Sequence, residues 1–165
     1  MDYTKLKIKT SYESDIDDLI SDFYIPMMSN AKRYDRIAGF FSSTSLAIAA
    51  RGIAGLIENG GAMRLVTCPR LSKQDAAVLN AAATDMDALL ADSLIREICE
   101  ETIQDSFQRN HVAALGWMLA HNYLEIKIAL ICKNGQVLGG EEAAAIMHQK
   151  VGIFYDTEMH AVSFS

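Results

Sequence analysis

An imidazole and an ammonium stand two residues apart in the run His148-Gln149-Lys150-Val151-Gly152-Ile153-Phe154-Tyr155-Asp156. Gln149 to Tyr155 is rich in β-branched and aromatic residues with one glycine, and reads as a short strand. Alternation places His148, Lys150, Gly152 and Phe154 on one face, and Val151, Ile153 and Tyr155 on the other. Gly152 is expected to leave open space beside the cationic pair. Asp156 falls where the strand should end, and is expected to fold back onto the imidazole. A nucleophilic histidine needs a partner that fixes its tautomer and a nearby cation that holds an anionic substrate. This stretch offers all three.

Other segments bear on the same chemistry. Tyr34-Asp35-Arg36-Ile37-Ala38-Gly39-Phe40-Phe41, Gly60-Gly61 ahead of Met63-Arg64-Leu65-Val66-Thr67, and Leu124-Glu125-Ile126-Lys127 accompany the His-x-Lys…Asp run. Together they resemble the phospholipase D superfamily. More narrowly, the chain is similar to the phospholipase D-like module at the front of DEAD/DEAH-type helicases and of restriction or defence enzymes. The resemblance covers nearly the whole chain.

That resemblance implies a phosphodiesterase, a nuclease acting on DNA within a larger helicase or restriction protein. His148 would attack phosphorus to give a phosphohistidine, Lys150 would hold the non-bridging oxygens, and Asp156 would orient an imidazole. A second histidine would protonate the leaving oxygen. Neither metal nor cofactor is implied. The superfamily uses two His-x-Lys motifs across a pseudo-dyad, whereas this sequence holds one. The second copy would come from an identical subunit, as a homodimer, or from further chain. The superfamily's Gly-Ser-x-Asn, which follows the last strand, is also absent before Ser165. The chain therefore reads as one domain, 1–165, truncated at its C-terminal end.

A competing reading comes from another class: a non-catalytic phosphate- or nucleic-acid-binding or assembly module with a degenerate site. Five residues separate Lys150 from Asp156 where the superfamily usually has four. The single motif and a formal net charge of -6 point the same way, because phosphate binding normally wants a basic surface. The charges are unevenly spread. Lys5, Lys7, Lys9, Lys32, Arg33 and Arg36 crowd the N-terminal part, while Asp85, Asp87, Asp92, Glu97, Glu100, Glu101 and Asp105 cluster centrally, as on a solvated helix face. A lipid phosphodiesterase would share the chemistry, but no basic amphipathic segment supports one.

The elements that must position these residues follow from periodicity. Half of the residues are hydrophobic, so a folded globule is expected. Lys5 to Thr10 alternates like an edge strand. Ser14 offers an N-cap for a helix carrying Ile16, Leu19, Ile20, Phe23 and Met27, which Pro26 should kink or end. Tyr34 to Phe41 and Met63 to Cys68 read as strands joined by a helix bearing Leu46, Ala49, Ala50, Ile53 and Ile57. That is a right-handed βαβ crossover with parallel strands. Ser42 and Ser43 lie at the carboxyl end of its first strand, where open α/β sheets bind ligands, and are candidate substrate-binding residues. A helical insertion spans about 72–121. Tyr123 to Cys132 is a strand, Lys133-Asn134-Gly135-Gln136 a turn, and Ala161 to Ser165 a hairpin partner for the His148 strand.

The predicted fold is an α/β/α sandwich: a mixed, mainly parallel sheet with helices on both faces. No apolar run reaches the roughly 18 residues of a membrane span. Cys68, Cys99 and Cys132 sit in apolar contexts and read as buried free thiols of a cytoplasmic protein. No Cys or His pair has zinc-ligand spacing.

Overall fold

The computed structural model describes residues 2–13, 15–39, 52–69, 71, 73–81, 86–100, 116–144 and 149–165. Within them runs a five-stranded sheet built from β1 (Arg33–Ala38), β2 (Ala62–Thr67), β3 (Leu124–Ile128), β6 (Lys150–Tyr155) and β7 (Ala161–Phe164), in the order β3-β2-β1-β6-β7. Two further short strands, β4 (Cys132–Lys133) and β5 (Gln136–Val137), form a separate hairpin. The helices are α1 (Ile25–Ser29), α2 (52–58), α3 (Lys73–Asn80), α4 (Met86–Glu100), α5 (116–120) and α6 (Glu141–Ala144). No described helix is long and apolar enough to cross a membrane.

β1 pairs parallel with β2, and β2 with β3, as the crossover pattern requires. β6 runs antiparallel to β1 and to β7. The neighbouring pairs are therefore evenly mixed rather than mainly parallel, although β6 alone opposes the direction of the other four. The antiparallel half follows from sequence locality. A five-residue connection from β6 to β7 can only reverse the chain, since parallel neighbours need a long crossover.

The core forms on one face of the sheet. Tyr34 and Ala38 of β1, Met63 and Leu65 of β2, Leu124 of β3 and Phe154 of β6 meet Met27 and Met28 of α1, Leu56 of α2 and Met118 of α5. Phe154 stacks on Tyr34 with ring centroids 4.1 Å apart. Two glycines let α2 approach closely. A Cβ on Gly52 would meet Met28 Cβ at 2.7 Å, and one on Gly55 would meet Ser29 Cα at 2.7 Å. On the opposite face, Ile37, Val66, Val151 and Ile153 stay half-buried and belong to no core cluster. Among the described residues the sheet is covered from one side, not sandwiched between two helical layers.

Several local expectations need correction. Lys5 to Thr10 forms no strand. Instead Tyr3–Lys5 makes a 3-10 turn, and Leu6 and Ile8 pack against the core. Ser14 lies outside the described residues, and the helix begins well after it, with a π-helical turn, Ile20–Tyr24, whose Ile20 and Ser21 N–H groups donate to Asp18. Pro26 neither ends the helix nor falls in its interior α-turns: it sits at the start of α1, where the π-helical turn passes into α-helix. The strand expected over Tyr123 to Cys132 ends at Ile128, where β2 runs out of partners at Thr67. Asn134 (φ 53°) and Gly135 (φ 78°) then turn the β4–β5 hairpin, as Asn-Gly does. Cys68 is buried as expected, but Cys132 is exposed.

Candidate functional site

Because β6 opposes β1, the start of β6 lies beside the end of β1. Lys150 pairs with Ala38, and Gly39 N–H donates to the Gln149 carbonyl at 3.0 Å. Lys150 is exposed there, at the carboxyl ends of β1, β2 and β3, the edge where open α/β sheets bind ligands. His148, Ser42 and Ser43, expected at the same place, lie outside the described residues.

Gly152 does not leave open space. Phe164 of β7, its partner in register, lays its ring over the missing side chain, and a Cβ there would meet Phe164 Cε1 at 2.2 Å. The glycine admits an aromatic ring, which then joins Phe23, Tyr24 and Phe154.

Asp156 stands at the far end of the same strand. Six residue steps at about 3.3 Å each put it roughly 20 Å along the chain from Lys150. The structure therefore does not bring Lys150 and Asp156 into one constellation. Asp156 is fully buried. Its Oδ1 accepts from Glu158 and His160 N–H, both at 2.9 Å, and its Oδ2 accepts from Tyr3 N–H at 2.9 Å. His160 Nδ1 lies 3.0 Å from Oδ2. Burial pushes this carboxyl up, but the Tyr3 N–H, the His160 ring and N–H, and the Glu158 N–H together hold it at about 2. The imidazole that Asp156 orients is that of His160, whose pKa is raised by the Asp156 hydrogen bond. The carboxylate shapes the β6–β7 turn and pins the N-terminus to it. No apolar pattern announces this clasp, although an Asp opening a short turn between strands is a common turn former.

Asp2, Asp156 and His160 bring ligand atoms within 4.8 Å of one another. Both Asp156 oxygens already accept two hydrogen bonds each, and Asp2 Oδ1 accepts from Thr4. Hard cations want several free oxygens, and here those three oxygens accept hydrogen bonds while Asp2 Oδ2 faces Lys5 Nζ at 3.5 Å.

Arg36 belongs to the Tyr34–Phe41 segment but not to the His-x-Lys motif. Alternation along β1 puts it on the core face with Tyr34 and Ala38, directly opposite Gly152. Its Nη1 donates to Tyr34 Oη at 2.8 Å, and its guanidinium lies 5.9 Å from the ring centres of both Tyr24 and Phe164. Its Nε is buried with no acceptor. A charged residue in core register on β1 was visible in the sequence. That no described carboxylate meets it was not.

The opposite face carries a different arrangement. Asp35 accepts from Arg33 and Arg64 together, at 2.8 and 2.6 Å. Burial raises this carboxyl, but the two guanidiniums outweigh it and hold the pKa below the ordinary value. Beside them, a cavity of about 310 Å³ has Ile37, Val66, Val151 and Ile153 as its floor and Arg64 and Lys127 at its rim. Comparison with family models, with curated proteins and with solved structures finds no match for this chain.

Proposed function

We propose that this chain is a metal-independent phosphodiesterase module, with DNA as its substrate class, working as part of a larger helicase or restriction protein. The observation that carries the reading is the position of Lys150. It opens β6 beside the end of β1, so an ammonium stands at the ligand-binding edge of the sheet with the His148-Gln149 dipeptide immediately before it.

In this reading the His148 imidazole attacks phosphorus and forms a P–N bond as the P–O bond to the leaving group breaks. The leaving oxygen takes a proton from a second histidine, supplied by another subunit or further chain. Water then hydrolyses the phosphohistidine and regenerates the imidazole. Lys150 neutralises the non-bridging oxygens as charge develops on them. Asp156 acts at a distance, by fixing the turn that joins β6 to β7. General acid–base assistance of this kind contributes about 10² to 10⁴ in rate.

The second reading, a module that binds phosphate without turning it over, draws on the single His-x-Lys of the chain. One experiment separates the two. Hydrolysis of bis(p-nitrophenyl) phosphate and of single- and double-stranded DNA is followed with and without EDTA, for the wild type and His148→Ala. EDTA-resistant turnover that His148→Ala abolishes is the expected result. Binding without turnover favours the second reading. Turnover that needs added Mg²⁺ or Mn²⁺ and ignores His148→Ala refutes the proposal.

A further inference from the structure

We propose that Arg36 is a second phosphate-binding residue, which with Lys150 forms a two-cation cradle for a phosphodiester on the core-side edge of β1 and β6. The inference rests on the reading of Lys150 above and adds a residue that the His-x-Lys motif does not contain.

The geometry comes from the register. Arg36 pairs with Gly152, and Lys150 is two residues along β6 on the same face. Such diagonal neighbours have Cα atoms about 7–8 Å apart, within reach of two long side chains. Because the residue facing Arg36 is a glycine, no β6 side chain stands between the two cations. The ring above Gly152 is that of Phe164, whose centre lies 5.9 Å from the Arg36 guanidinium carbon.

The electrostatics supply the motive. A guanidinium stays charged at any ordinary pH. Arg33 and Arg64 share the Asp35 carboxylate, but among the described residues Arg36 has no ion pair. Its partners among the described residues are neutral: the phenol of Tyr34, which burial pushes up to about 12, and the rings of Tyr24 and Phe164. Residues 40–51, which continue the chain from this end of β1, contain no Asp or Glu. Holding a charge in an aromatic enclosure without a counter-ion is unfavourable, and an incoming anion relieves it. The planar donor fork suits a phosphate oxygen pair, and Lys150 adds a point charge from the solvent side.

The test uses the full 165-residue chain with two probes, a fluorescent oligothymidylate and bis(p-nitrophenyl) phosphate. Arg36→Met removes the charge and keeps the length. It should weaken oligonucleotide binding by about tenfold to a hundredfold, the range for a hydrogen bond to a charged group. The slope of log affinity against log salt should fall by about 0.7 per lost phosphate contact. Tm should change little, because Arg36 is half-buried and methionine keeps the apolar stem against Tyr24 and Phe164. Arg36→Lys, which keeps the charge and loses the fork, should bind more weakly with the slope preserved, and it serves should the methionine variant not fold. Loss of affinity for the oligonucleotide alone marks a nucleic-acid backbone as the phosphate source. A parallel rise in KM for the small diester marks any phosphodiester.

Wild-type affinity, KM and salt slope in Arg36→Met, with a lowered Tm, would show a purely structural cation–aromatic role and overturn the inference while leaving the proposed activity intact. Conversely, turnover unaffected by His148→Ala together with binding lost in Arg36→Met would sink the activity and leave the anion site standing. A wild-type chain that binds neither probe overturns the inference outright.

Discussion

Replacing Gly152 with alanine tests how tightly the candidate edge is built. The new methyl would sit 2.2 Å from Phe164 Cε1 and 2.3 Å from Cζ, where ordinary contact begins near 3.4 Å, so the ring must retreat by about 1.2 Å. It cannot move inward. Phe23 and Phe154 are buried, and their ring centres already lie 5.5 and 5.7 Å from that of Phe164. The ring must swing toward solvent, weakening aromatic contacts worth about 0.5–1.5 kcal/mol each. Overpacking of this kind costs about 1–3 kcal/mol. For a chain of this size, each kcal/mol shifts Tm by about 2–4 °C. Thermal unfolding followed by circular dichroism should therefore show a fall of about 2–12 °C. In a Phe164→Ala background the clash is absent, and Gly152→Ala should become neutral or gain about 0.5–1 kcal/mol from reduced backbone freedom. An equal cost in both backgrounds, or a gain in the wild type, would refute the packing argument.

Stability should depend on pH through the Asp156–His160 pair. Asp156 is lowered to about 2, so its contribution is present above the ordinary carboxyl range and is lost as pH falls toward 2. His160 is raised, so its contribution is complete below its unfolded pKa near 6.5 and is lost as pH rises through the folded value. Urea midpoints measured from pH 3 to 9 should decline at both ends, and His160→Gln should remove the alkaline decline; an unchanged profile in that variant contradicts the clasp. On the opposite face, Asp35→Asn should leave Arg33 and Arg64 facing each other and cost about 1 kcal/mol at low salt. The loss should shrink in 1 M NaCl, where the Debye length is about 3 Å, and a salt-independent loss would point to packing instead.

The sequence by itself determined the elements that rest on local periodicity. The β1–α2–β2 crossover, the β6–β7 hairpin and the Asn134-Gly135 turn follow from alternation, a helical stripe and turn chemistry within short windows. The face on which Lys150, Gly152 and Phe154 stand was legible for the same reason, since a strand's alternation needs no partner to be read. What Gly152 is for was not legible, because its neighbour Phe164 is defined by cross-strand register and not by spacing. Asp156 and Lys150 looked adjacent in sequence, yet a strand is a rod, and six residues of it separate them by its whole length. The failure of Lys5 to Thr10 to form a strand has a similar origin: alternation describes a strand that has a partner, and here the sheet edge went to β7 while Asp156 drew Tyr3 into a turn. Tertiary structure alone decided that Asp35 meets two arginines while Arg36, one residue on, meets no carboxylate among the described residues. Charge balance at a buried site is set by which strands become neighbours, a long-range choice that no local stretch of this chain encodes.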